Sequence, residues 1–485
     1  MTTRATSPRA LPWTRVSHVR GGVSCGCVRC ECNGSPRRAA HAGGGIQILA
    51  AWMLVLVVLA PFPWAARASD TLQTSVGVES SPEATGADEA SSPGVGVEST
   101  GRSSDATQPP DPVADADSLR KFLEERVRSD PLDFIAHNRL ASAYLKLMRD
   151  SGDLVWLNRA ADEAKASLAS VPAPRNPGGL AALALTQFEG HHFSEALESA
   201  EHAYAIDPRN TSALATIGDA QLELGNYAEA GTVYARLAAD GESPPVLARE
   251  ARLAELQGDT SKALELLTRA GDSDGWYRIR RGELLFRRGE LDQAEAEYLS
   301  APASFAQIDH LAELRGAQGR YEEAIALYRQ LIDRVPRAET LHDLGDLYQF
   351  IGKTEEAAAW HERALAAYLH SIEEGNAHYY HHLASFYSDC VESPVDALRW
   401  ARKDLEIRHS IYAWDTLAWA LYKNGDFTGA ADAMTKALAL GTLDAHLLHH
   451  GGMIFSRAGD LTKGRALLQQ TVAVNPAYPR FHVHR

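Results

Sequence analysis

Residues Ile411–Gly441 read IYAWDTLAWALYKNGDFTGAADAMTKALALG. Trp414, Leu417, Ala418 and Leu421 recur at helical spacing, Asn424-Gly425-Asp426 interrupts them, and Ala430, Met434, Ala437 and Leu438 resume the pattern. The spacing predicts two short amphipathic helices joined by a tight glycine turn. Such a hairpin cannot bury its own apolar stripe and needs copies of itself on either side.

The chain supplies the copies. Turn glycines recur at Gly225, Gly258, Gly289, Gly319, Gly352, Gly425 and Gly459, and the one long interval spans two repeats with a turn glycine lost near Cys390. Seven residues before each glycine stands a small residue: Gly218, Ala251, Gly282, Ala312, Gly345, Ala418 and Gly452. Five residues after it stands another: Ala230, Ala263, Ala294, Ala324, Ala357, Ala430 and Gly464. Small side chains at both places allow close helix approach. Asp207-Pro208, Pro336 and Pro476 punctuate the repeats, because proline cannot continue a helix.

This register resembles the tetratricopeptide repeat (TPR) family, whose period is about 34 residues. The resemblance implies an all-α, right-handed α-solenoid of about ten TPR helix hairpins over residues 132–480, with a capping helix at 118–131. The first hairpin, with Leu140, Ala141 and Tyr144 in its first helix, is expected to have a lengthened turn ending near Trp156. Each hairpin is expected to touch only its neighbours. The stretch from Ala401 through Pro476 is also similar to exported bacterial TPR proteins with no assigned biochemical role.

TPR proteins bind partners, so the resemblance implies a protein or peptide partner held on the concave face of the solenoid. That face is lined by the second, fifth, ninth and twelfth-to-thirteenth residues of the first helices. The lysine and asparagine with which one branch of the family grips C-terminal carboxylates are absent, since those places read Asp415 and Trp419, or His381 and Ser385. The repeats at 377–410 and 445–478 carry matching strings, His378-x-x-His381-His382 and His446-x-x-His449-His450. His378, His381, Tyr412, Asp415, Trp419, His446 and His449 are therefore the candidate groove, with Trp419 expected as an exposed anchor. Aromatic and adaptable polar groups of this kind suit a peptide. The alternative is a transition metal ion, since histidines three apart share a helix face and Asp415 could be a third ligand. The two pairs lie two repeats apart, on the order of 20 Å, and cannot share one ion. The plainest reading is that exposed helix positions happen to be histidine.

Residues 1–45 form a basic leader with seven arginines and one acid, either disordered or preceding the true start. Cys25, Cys27, Cys30 and Cys32 within it match no well-defined zinc spacing. Residues 46–68 read as a hydrophobic signal segment, short for a membrane span and closed by Ala66-Arg67-Ala68. An uncleaved anchor is the alternative, and residues 46–66 are the only membrane contact expected. Residues 69–117 read as a low-complexity flexible linker.

Beyond Ala68 the chain holds 40 basic and 62 acidic residues, a formal charge of −22. So acidic a surface repels phosphate backbones and argues against a nucleic-acid partner. Beyond the leader Cys390 stands alone, so no internal disulfide can form there. No catalytic constellation stands in its structural context: no strand-borne glycine loop or HExxH is present, no alternating strand pattern could hold a nucleophile elbow, and no enzyme activity or cofactor is expected. Glu322-Glu323, Glu355-Glu356 and Glu373-Glu374 read as solvated helix faces.

The signal reading places the protein outside the cytosol, in periplasm, cell envelope or medium. N-terminal sequencing of protein from its native host is expected to give a start near Ser69. A start at Met1 in cytosolic protein would refute export.

Overall fold

The turn glycines and the residues after them account for most of the local structure. In Gly258-Asp259, Gly425-Asp426 and Gly459-Asp460 the glycine takes a positive φ, and the aspartate carboxylate accepts the backbone N–H of Lys262, Gly429 or Lys463. One dipeptide thus ends one helix and caps the next, each cap contributing about 1 kcal/mol.

The computed structural model describes residues 112–272, 275–375 and 377–483. The leader, the signal segment and most of the linker read from the sequence lie outside them. A capping helix, α1 (Pro112–Ser129), precedes ten helix hairpins. Their first helices are α2 (Phe134–Ser151), α4 (Pro177–Glu189), α6 (Thr211–Glu223), α8 (Pro244–Leu256), α10 (Trp276–Arg287), α12 (Phe305–Ala317), α14 (Ala338–Phe350), α16 (Tyr380–Asp389), α18 (Ile411–Lys423) and α20 (Ala445–Arg457). Their second helices are α3 (Val155–Ser170), α5 (Phe193–Ile206), α7 (Tyr227–Ala239), α9 (Thr260–Ala270), α11 (Leu291–Ser300), α13 (Tyr321–Arg334), α15 (Thr354–Glu373), α17 (Pro394–Ile407), α19 (Phe427–Ala437) and α21 (Leu461–Val474). The described residues form an all-α solenoid, and none of their helices is long and apolar enough to cross a membrane.

Small residues at the expected registers are the closest-packed points. Ala230, Ala263, Ala294, Ala312, Ala324, Ala418 and Ala430 have no exposure. Two local readings change. The first helix begins at Pro112 and not at Ser118. The extra residues of the first hairpin extend α2, and its turn occupies only Gly152–Leu154. The turn after α16 lacks glycine, as expected, and Glu392 takes the left-handed conformation there.

The larger correction is that hairpins do not touch only their neighbours. The array coils tightly enough for successive turns of the superhelix to abut along a seam. The Glu223 carbonyl accepts the His409 N–H at 3.0 Å, and the Tyr227 hydroxyl accepts the Ile411 N–H at 2.7 Å. The Thr442 hydroxyl donates to the Leu256 carbonyl. The last two pairs stand 184 and 186 residues apart, roughly five and a half repeats. Hairpin turns of the earlier coil meet the junctions between repeats of the later one. A Cβ on Gly225 or Gly258 would lie 2.6 Å from the carbonyl oxygen of His409 or Gly441. Gly352, Gly425 and Gly459 have the same backbone conformation but nothing within 4 Å.

Gly352→Ala is expected to cost only the left-handed backbone penalty, about 1–2 kcal/mol. Gly258→Ala should add the overpacking of the seam, about 1–3 kcal/mol more. Denaturant midpoints, with hydrogen exchange read at residues 438–448, distinguish the two. Equal losses would mean that the seam contributes nothing.

Candidate functional site

Side chains one helical turn apart lie over one another, and this decides which histidines meet a partner. On α20 the pair is His446 and His450, four apart, with ring centroids at 4.0 Å. His450 Nδ1 lies 3.0 Å from Asp415 Oδ1 of α18, and its ring stacks on Trp419 at 3.9 Å and 7°. Trp419 also stacks on Tyr422 and donates from Nε1 to the Asp389 carboxylate at 3.1 Å, while Lys423 Nζ pairs with Asp389 at 3.0 Å. Asp415 and His450 are buried, at 5% and 3% exposure, and Trp419 is half-buried rather than an exposed anchor. Burial raises the Asp415 carboxyl above the usual range, against the opposing pull of His450. The sixth-position histidine, not the expected His449, completes this cluster. His449 lies instead beside Tyr478, at 5.1 Å.

The matching string, which runs from the 3-10 turn Ala377–Tyr379 into α16, faces the seam. His378 sits 4.3 Å from the ring of His191 and 3.7 Å from Glu339 Oε1, and His381 sits 6.1 Å from His191. His191 occupies the α4–α5 turn with φ 63°, where other hairpins place glycine. A histidine held there is strained on the order of 1 kcal/mol or more. Burial, and then the neighbouring His378, push the His191 imidazole well below its ordinary pKa; burial and His382 do the same to His381. Sequence reasoning missed His191 and His450. The signal for the first is histidine standing where the repeat calls for glycine; for the second, the four-residue spacing to His446.

Tyr412 stands apart, its ring 5.5 Å from the Arg252 guanidinium. Arg252 and Arg287 each pair with Glu255 at 2.7 Å, and Arg287 pairs also with Glu283 at 2.5 Å. Beyond this network α12 and α14 carry Asp309, Glu313 and Asp343. Burial, opposed by the Val483 N–H but reinforced by the Asp309 charge, pushes the Glu313 carboxyl up to about 7. The C-terminal segment reaches these helices. Phe481, 1% exposed, packs on Gly316 and on Phe350 at 5.6 Å, and the Val483 N–H donates to Glu313 Oε1 at 3.0 Å. Two sets among the candidates could hold a metal: Asp415, His446 and His450, and Glu339, His378 and His382. Within each set the ligand atoms lie inside 4.8 Å of one another.

Stacked helix hairpins with small residues at these registers define a repeat solenoid. Tetratricopeptide repeat models match residues 187–253 and 304–370, and the chain is a tetratricopeptide-repeat protein. No curated protein matches it. Among solved structures, a thermophilic TPR protein of Thermus thermophilus is 21% identical, with a TM-score of 0.32, covering 36% of this chain and 93% of its own. The human IFIT1 dimer with PPP-AAAA is 14% identical, with a TM-score of 0.39, covering 74% of this chain and 94% of its own. Neither ligand nor assembly is carried over from them.

Glu313 gives a pH test. Its folded pKa lies above that of the unfolded chain, so its contribution is present below about pH 4.5 and is lost as pH rises through about 7. Glu313→Gln retains an acceptor for Val483 and removes the charge. The variant is expected to match the wild type at pH 4.5 and exceed its stability by about 1–2 kcal/mol at pH 8, the full shift being reduced by water at a half-buried group. A difference that does not vary with pH would contradict the raised pKa.

Proposed function

We infer that the chain is a protein-interaction scaffold, as its TPR repeats suggest. We propose that it is exported, non-catalytic, and holds an extended peptide segment of a partner protein in the concave groove. The supporting observation is the chain's own C-terminal segment. Phe481 fills an apolar site against Gly316 and Phe350, while a backbone N–H is taken by Glu313 at a groove register. A groove that orders one extended segment by an aromatic anchor and a backbone hydrogen bond has the elements needed to order another. The raised carboxyls of Asp309, Glu313 and Asp343 favour a segment carrying a positive charge beside that anchor. A second reading, metal binding or delivery by the histidine groove, draws on the closeness of Asp415, His446 and His450.

Photo-cross-linking residues placed at Glu313 and Tyr412, and on the opposite side at exposed Glu322, test the groove. The expected result is one discrete polypeptide cross-linked in envelope extract from the first two positions and not from Glu322. Excess synthetic peptide of residues 478–483 should suppress it. Equal cross-linking from Glu322 would place the contact elsewhere.

A further inference from the structure

The seventh hairpin departs from the others where two registers meet. In the third hairpin the residue sixteen after the small one is Tyr234, whose hydroxyl donates to Asp219 at 2.9 Å. In the seventh, the same registers hold His361 and Asp346, with His361 Nε2 2.8 Å from Asp346 Oδ1. Gly345 makes this possible, because a Cβ there would collide with the His361 ring. His342, one helical turn before Asp346, brings its Nε2 to 3.5 Å from Asp346 Oδ2. Cys390, at the end of α16 where the turn glycine is missing, places Sγ 3.2 Å from His342 Nε2 and 3.4 Å from Asp346 Oδ1.

We propose that His342, Asp346, His361 and Cys390 form a binding site for a divalent, zinc-type transition metal ion. The four ligand atoms lie within 4.8 Å of one another. A tetrahedral ion with bonds of about 2.0–2.3 Å holds its ligand atoms about 3.3–3.8 Å apart. The 3.2 Å contact of Cys390 with His342 and the 3.4 Å contact of Cys390 with Asp346 Oδ1 need almost no adjustment to reach that frame, the 2.8 Å contact of His361 with Oδ1 needs an opening of about half an ångström, and the 3.5 Å contact of His342 is with the other carboxylate oxygen, Oδ2. Two imidazoles, one carboxylate and one thiolate are a donor set suited to zinc. His342 is oriented from behind, its Nδ1 lying 3.2 Å from the Tyr368 hydroxyl, as the outer ring nitrogen of a metal-bound histidine commonly is. An entry path exists, since a cleft of about 560 Å³ is lined by His361, Phe386, Cys390 and Val391.

Binding forms a metal–sulfur bond at Cys390 and releases the thiol proton to solvent. The ion would join α14 and α15 of one hairpin to α16 of the next. It would hold the turn that lacks glycine.

The test uses the full chain with Cys25, Cys27, Cys30 and Cys32 replaced by serine, leaving Cys390 the sole thiol. Cobalt titration of metal-free protein is expected to give one ion per chain with tetrahedral visible bands and a sulfur-to-cobalt charge-transfer band. In Cys390→Ser the charge-transfer band should disappear, and His361→Gln should weaken binding at least tenfold. Asp415→Asn, which alters one of the two other candidate sets, should change neither. Reaction of Cys390 with a thiol reagent, read without any change to the four ligands, should be slowed at least tenfold by zinc and restored by chelator. A charge-transfer band that never forms, or a thiol that zinc does not protect, would overturn the proposal.

Discussion

The structure depends on the contact of one superhelical turn with the next. A TPR hairpin stacks on its neighbour through alanine and glycine, and that alone would give an open coil. Here the hairpin turns at Gly225 and Gly258 present bare Cα atoms to carbonyl oxygens from the following turn. Backbone groups at His409 and Ile411 that begin a new helix are satisfied by Glu223 and Tyr227. Helix ends leave backbone groups without intrahelical partners. In this array, part of that need is met across the seam.

Charged side chains of the first helices are half-buried on the concave side. The charged side chains there respond as desolvated groups do. Arg252 and Arg287 share Glu255, so that the burial cost of each charge is offset by close partners. Asp309, Glu313 and Asp343 lack that compensation, and their carboxyls move toward the neutral form. The lumen therefore has an ion-paired section around α8 and α10 and a proton-holding section around α12 and α14. Phe481 and Val483 lie against the second.

Much of the solenoid was legible because small residues recur in fixed register, and close packing permits little else at those places. Ala312 and Ala418 are fully buried as the spacing demands. The candidate site was legible only in composition. The strings around His381 and His449 were visible, but helix geometry hands the cluster to His450, four residues from His446, and the seam turns His378 and His381 toward His191. No local pattern announces a contact between residues nearly two hundred positions apart. The quartet at Cys390 was hidden for a related reason. Its members come from three helices, and each taken singly reads as an ordinary core polar residue.

The seam also bears on how such a chain can change over generations. Open repeat arrays lengthen and shorten by copying whole hairpins, because any hairpin fits against any other. Here Tyr227 must find Ile411, and His191 must find His378, at a separation set by the number of hairpins between them. Inserting or deleting one hairpin within that interval would bring each turn opposite the wrong junction. The glycines without neighbours, such as Gly425, could be shuffled freely, whereas Gly225 and Gly258 tie the count of repeats between the coils to a fixed number.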